Sequence, residues 1–215
     1  MFPESTMLNK KIPKQRFYDN ANVKNKIKQE FIKNIESISL TNKLSKDTIS
    51  IKPTKEIEEI LVMQIKTKND CNIDAILLTI DKSIPYPILF EILSEKQKSY
   101  VMAYKKRNKI DSDKFVVEKY FYKKIKFKEF EKGINEALNS INLQVLYNKL
   151  LKLLIGSNKK ESIESIVENE IIKENLEKEI NVLEKKVKSE KQADIQYEYF
   201  AELKQKKKEF GKLTS

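Results

Sequence analysis

Gln64-Ile65-Lys66, at the end of a short apolar run, is the spacing with the clearest chemistry in this 215-residue chain. Two-metal nucleases of the restriction type combine an acidic residue with a Glu- or Gln-x-Lys strand. Their carboxylates bind Mg²⁺ and the lysine helps to activate water. Glu91 is the acid that would join Gln64 and Lys66, with Glu58 and Glu59 as further neighbours. No paired aspartate precedes the motif, and any lysine-rich strand carries Gln-x-Lys without a site. We therefore assign no catalytic residue and expect no enzyme; Gln64, Lys66 and Glu91 are what a nuclease reading would use. Other chemistries fall by count. There is no histidine, hence no Ser-His-Asp relay, no Cys-His pair and no imidazole metal site. A single cysteine, Cys71, builds neither a disulfide framework nor a zinc or iron–sulfur site. The three dispersed glycines make no phosphate-binding loop. We expect no metal and no cofactor.

Two other groups of residues suit nucleic acid. Between residues 115 and 127 the sequence alternates with period two. Tyr120, Tyr122, Lys124 and Lys126 share one parity, a face able to stack bases and neutralise phosphates. An ordinary solvated sheet face looks the same. The N-terminal run Lys10, Lys11, Lys14 and Arg16 is the densest basic segment. Formal net charge is +11, with 43 Lys plus Arg against 32 Asp plus Glu. Residues 157–215 hold 13 of those bases and 13 of those acids, which leaves 30 against 19 in residues 1–156. Only Arg16 and Arg107 are arginines, so contacts to phosphate fit better than bidentate reading of guanine.

The elements that would position these residues follow from periodicity. Residues 1–20 read as an extended arm, with Pro3 and Pro13 against helix. Val23, Ile27, Phe31, Ile35 and Ile38 predict one amphipathic helix, capped by Asn20 or Asn22. Residues 40–53 read as a connector. Strands are expected at 57–66, 87–93, 100–104 and 115–127, with a helix at 73–84 between the first two. The string β-α-β-β-β gives an α+β fold: a small mixed sheet of about four strands with flanking helices on one face. A long helix from Phe130 ends at Gly156, and Asn158 with Glu161 has the spacing of a capping box for the next. The tail then carries a seam of Ile172, Leu176, Ile180, Leu183 and Val187, and a second of Phe200, Leu203 and Phe210. It is either one helix of about 75 Å or a helical hairpin, coiled-coil in character. Two domains are expected: a basic α+β domain over 1–156 and a charge-neutral helical tail over 157–215.

Two segments carry a resemblance. One runs through Pro3-Glu4-Ser5-Thr6 and Asn9-Lys10-Lys11-Ile12-Pro13-Lys14 to Phe17-Tyr18. The other is Asp81-Lys82-Ser83-Ile84-Pro85-Tyr86-Pro87-Ile88-Leu89-Phe90, continued by residues 100–105. Together they resemble the bacterial family catalogued as domain of unknown function 4391, over roughly residues 1–150 before fading in the tail. The family assigns no catalytic residues. Its members are often encoded beside helicase and methyltransferase genes of restriction-like, phage-defence type. The resemblance thus implies an accessory subunit of a DNA-acting complex. The partner is expected to be such a helicase or methyltransferase, docked through Ile172, Leu176, Ile180, Leu183, Val187, Phe200 and Leu203. Lys10, Lys11, Lys14, Arg16, Tyr120, Tyr122, Lys124 and Lys126 are the expected DNA-backbone contacts. A metal-dependent nuclease on Gln64 and Lys66 is the rival reading, and a homo-oligomer held by the tail is the third. With no apolar stretch of membrane length and no signal layout, a cytoplasmic location is expected.

Overall fold

The computed structural model describes residues 2–19, 23–95, 97–107, 115–123 and 127–214. They form two compact units, Met1–Lys159 and Lys160–Ser215. The first is built on a six-stranded mixed sheet in the spatial order of the chain. Its strands are β1 (Met7–Ile12), β2 (Ile35–Leu44), β3 (Ile60–Thr67), β4 (Ile88–Leu93), β5 (Lys98–Arg107) and β6 (Phe115–Lys123). All neighbours are antiparallel except β3 and β4, which are parallel. Parallel neighbours need a crossover, and α4 (Asp74–Ser83) supplies it. The expected β-α-β-β-β string is β3-α4-β4-β5-β6, so the sheet has two strands more than the four expected.

Both extra strands have a physical reason for being missed. Residues 7–12 were expected as part of an extended arm, because no apolar alternation marks them; they are the edge strand β1. A bulge between Met7 and Lys10, with Asn9 at φ 46°, and the exposed Lys10 and Lys11 guard that edge against further pairing. Ile35 and Ile38 were expected to continue the first helix. That helix, α2 (Asn25–Asn34), stops just before them. A bulge between Ile35 and Ser37 turns both isoleucines to the core three positions apart, which imitates helical spacing.

Helices cover both sheet faces, where one was expected. On one face α1 (Gln15–Tyr18), α2 and α4 bring Phe17, Phe31, Ile76, Leu77 and Ile80 onto Ile38, Met63, Ile65, Phe90 and Val101. On the other, Phe130 of α5 (Phe127–Leu138) stacks on Tyr100 with ring centroids 3.7 Å apart. Tyr100 lies opposite Glu91, on the face that Phe90 and Val101 do not share. Beside α5 runs α6 (Leu143–Ile155). Ile60, Leu61, Val62 and Met63 of β3 are accordingly all buried, as the continuous apolar run predicts. A short α3 (Lys46–Ile49) with a Ser45–Thr48 capping box follows β2.

Several boundaries differ from expectation. β6 ends at Lys123, and Phe127 opens α5 rather than closing a strand. The single helix expected from Phe130 to Ile155 is two helices. Asn142 breaks it by capping α6, accepting from the Val145 N–H at 2.9 Å. Gly156 does end α6, at φ 80°, a left-handed conformation that suits glycine. The expected caps Asn20 and Asn22 lie outside the described residues.

The second unit is a helical hairpin of α7 (Ile163–Ser189) and α8 (Ala193–Thr214). Ser162, not Asn158, caps α7, its hydroxyl accepting from the Ser165 N–H at 3.2 Å. The two helices are tied by Lys206–Glu179 at 2.7 Å and Lys207–Glu184 at 2.8 Å. Leu176, Leu183 and Leu203 are buried, Ile180 and Val187 half-buried. Ile172 and Phe200 are exposed. Ile195, Tyr199, Leu203 and Phe210 form the inward side of α8, so Phe200 belongs to its flank. Among the described residues no helix is long and apolar enough to cross a membrane.

Candidate functional site

Cross-strand pairing places the motif residues on one sheet face. Lys11, Ser39, Gln64, Glu91, Tyr100 and Lys123 form one row, strand by strand from β1 to β6. Ser37, Lys66, Leu93 and Lys98 form the next row along. Directly paired residues share a face, so Gln64 and Glu91 meet, and Lys66 lies beside them. The Gln64 Nε2 donates to Glu91 Oε2 at 2.7 Å. The Tyr100 hydroxyl donates to Glu91 Oε1 at 3.2 Å, and the Lys98 ammonium pairs with the same oxygen. That bond raises the Lys98 pKa against an opposing burial effect, which is the larger single influence.

The chemistry of this cluster is therefore that of a satisfied carboxylate. Glu91 is buried, and three donors from its own chain occupy both oxygens. Facing Gln64 and Lys66 on β2 are Ser39 and Ser37, neutral hydroxyls where a metal-binding nuclease would place an acid. Glu59 is drawn away to Lys43, 2.5 Å distant. Among the described residues no group of three or more His, Cys, Asp or Glu is placed to hold a metal. Lys66 itself is exposed.

The other candidates scatter. Tyr120 does not present an open stacking face: it turns towards α4 and donates to Asp81 Oδ2 at 2.5 Å. Tyr122 donates to Asp74 and remains half exposed. Burial, then the aspartate beside each, raises both phenol pKa values. Lys124 and Lys126 lie outside the described residues. Lys14 is committed to structure, donating to the Ile35 carbonyl at 2.7 Å; burial and then Lys68 lower its pKa. Lys68 donates to the Ile32 carbonyl at 3.0 Å, so two lysines cap the end of α2. Arg16 is exposed on α1. Lys10 and Lys11 are exposed but face opposite sides of the sheet, since Lys10 pairs with Leu40 and Lys11 with Ser39.

Sequence reasoning missed a deeply buried polar cluster. Asp81 of α4 and Lys105 of β5 form an ion pair at 2.7 Å with side chains 0% and 1% exposed. Lys105 Nζ also donates to the Tyr86 carbonyl at 2.9 Å. Apart from that ammonium, Asp81 Oδ1 has no donor among the described residues. Burial pushes the Asp81 carboxyl pKa up and the Lys105 ammonium pKa down, and their mutual attraction offsets this in part. Next to it, Tyr147 donates to the Ala103 carbonyl at 2.8 Å and accepts from the Lys105 N–H at 2.9 Å. A signal was present: Asp81 follows Ile80 on the apolar face of α4, and a charge there demands a partner.

A crevice of about 500 Å³ opens at the carboxyl ends of β3 and β4, lined by Thr67, Asp70, Cys71, Asp74, Ser94 and Gln97. Cys71 is exposed there. Burial, then Glu30 and Asp70, raise its thiol pKa, which makes a weak nucleophile.

The segments that carry the family resemblance meet in this geometry. Phe17 and Tyr18 of the first share one buried core with Ile88 and Phe90 of the second, and within the second Asp81 and Tyr86 contact Lys105 of its continuation. In the N-terminal segment, the buried Thr6 hydroxyl donates to the Pro3 carbonyl at 2.6 Å and accepts from Asn42 Nδ2 at 2.8 Å. No curated protein and no solved structure matches the chain. The family match itself extends past the expected fade near residue 150 and takes in nearly the whole tail. The chain belongs to the family described as Domain of unknown function (DUF4391), whose model matches residues 1–210.

Proposed function

We propose that the chain is a non-catalytic accessory subunit of a DNA-acting, restriction-like defence complex. Its helical hairpin docks a helicase or methyltransferase partner, and its α+β unit contacts DNA phosphates. One observation carries this reading: Glu91, the acid of the strongest nuclease-like constellation in the sequence, has both oxygens occupied by Gln64, Tyr100 and Lys98. Function then falls to surfaces. The hairpin supports this, because it exposes Tyr197 at 74% and Phe200 at 55% on the flank of α8, away from its interior. The neutral charge of that segment suits protein contact, and the excess positive charge of residues 1–156 suits phosphate. Capture from the native host tests the docking claim. The tagged chain should co-purify with the product of a neighbouring helicase or methyltransferase gene. The Tyr197→Lys/Phe200→Glu variant should lose it. A monomer with no partner and no retention on DNA at low salt would sink the proposal.

A degenerate nuclease is the second reading. It is favoured by the convergence of Gln64 with Glu91 beside Lys66. It differs in outcome: it requires Mg²⁺- or Mn²⁺-dependent cleavage that Lys66→Ala abolishes.

A further inference from the structure

The pairing register defines a strip of donor side chains that crosses β1, β2 and β3 on the Gln64 face. Lys11, Ser39 and Gln64 stand side by side across three strands, about 4.8 Å between neighbours. Ser37 and Lys66 repeat the pattern two residues further along, about 6.6 Å away. Lys11 and Lys66 are exposed, and Ser37, Ser39 and Gln64 are half-buried, so the strip is a surface. Glu91, next to Gln64 on β4, is buried and neutralised by Lys98. We infer that this strip binds the phosphodiester backbone of a nucleic acid, with Lys11 and Lys66 neutralising phosphates and Ser37, Ser39 and Gln64 positioned as hydrogen-bond donors.

This deepens the DNA contact of the proposed function, and rests on it, by assigning that contact to one sheet face. The donor set favours phosphate. Phosphate oxygens accept from lysine, serine and glutamine alike, and such contacts position a backbone without reading bases. The strip contains no arginine fork, so sequence-independent binding follows. Of the basic arm, Lys14 is committed to a carbonyl and Lys10 faces the other side. The strip therefore separates Lys11 from the residues beside it in sequence.

The test is fluorescence anisotropy of the full chain with labelled single-stranded and duplex oligonucleotides over a salt series. Each lysine that neutralises a phosphate contributes about 0.7 to the slope of log K against log salt on single strands and about 0.9 on duplex. Lys11→Ala/Lys66→Ala should therefore reduce the slope by about 1.4 on single strands or about 1.8 on duplex. Lys10→Ala, one residue away on the opposite face, should leave it unchanged. The two oligonucleotides decide which form is held. Equal losses for Lys10 and for the strip lysines overturn the inference, because they show diffuse charge only. So does absence of binding at low salt, or tighter binding to a polyglutamate peptide than to either oligonucleotide. Partner capture by the wild type distinguishes the two proposals: it persists when only the strip is wrong, and fails when the accessory role is wrong.

Discussion

Replacing Lys105 by methionine should strongly destabilise the α+β unit at neutral pH. The change removes the ammonium 2.7 Å from Asp81 and leaves that carboxylate buried among β5, β6 and α4. Both side chains are essentially unexposed, so solvent screening gives no discount. Removing one partner of such a pair costs about 3–5 kcal/mol. A domain has about 5–15 kcal/mol in all. With an m-value of about 2 kcal/mol/M, the urea midpoint should fall by about 2 M. Asp81→Leu/Lys105→Met/Tyr120→Phe, which removes the whole cluster including the Tyr120 donor, should recover most of that loss. The pH dependence has a definite sign. Burial holds the folded Asp81 pKa above its ordinary 3.8. As pH rises from that value, the folded state keeps a proton the unfolded state has lost, and stability falls. Without Lys105 that window widens, so Lys105→Met should lose stability more steeply above about pH 4 than the wild type and regain it in acid. The assay is urea unfolding followed by circular dichroism between pH 4 and 8. A midpoint shift below about 0.5 M at pH 7 would refute the reasoning, as would equal pH slopes for variant and wild type.

Asn142→Ala removes the cap that divides α5 from α6 and should cost about 1 kcal/mol in the same assay. Gly156→Ala forces a side chain into φ 80° at the end of α6 and should cost about 1–2 kcal/mol. Cys71 should react with a disulfide reagent with a pH midpoint above 9.0, since burial, Glu30 and Asp70 all oppose the thiolate. A midpoint below that value would mean an activated thiol in the crevice.

The parts of the fold that were legible are those whose apolar spacing has one meaning. The run Ile60-Leu61-Val62-Met63 reads as a strand covered on both faces, and it is. Residues 73–84 read as a helix ended by Pro85, and α4 occupies them. β2 was not legible, because its bulge between Ile35 and Ser37 gives two core residues a helical interval. Nor was β1, which is polar, exposed and defined only by its partner strand. At the candidate site, Gln64 and Glu91 were both named from sequence, but not what joins them. Their hydrogen bond depends on the parallel register of β3 and β4, set 27 residues apart in the chain. Lys98 and Tyr100 close the cluster from β5 and carry no motif of their own. Likewise the second seam of the hairpin is Ile195, Tyr199, Leu203 and Phe210 rather than Phe200, Leu203 and Phe210. Two aromatic neighbours, Tyr199 and Phe200, compete for one interior position, and packing against α7 selects Tyr199.

The claim that this chain binds DNA without cutting it is tested most directly on one native gel. Purified chain is incubated with DNA at low salt in Mg²⁺ or Mn²⁺, and retardation and cleavage are read together. Retarded, intact DNA is expected, with retardation lost as salt rises. Cleaved DNA, with cleavage abolished by Glu91→Ala or Lys66→Ala, would contradict the claim.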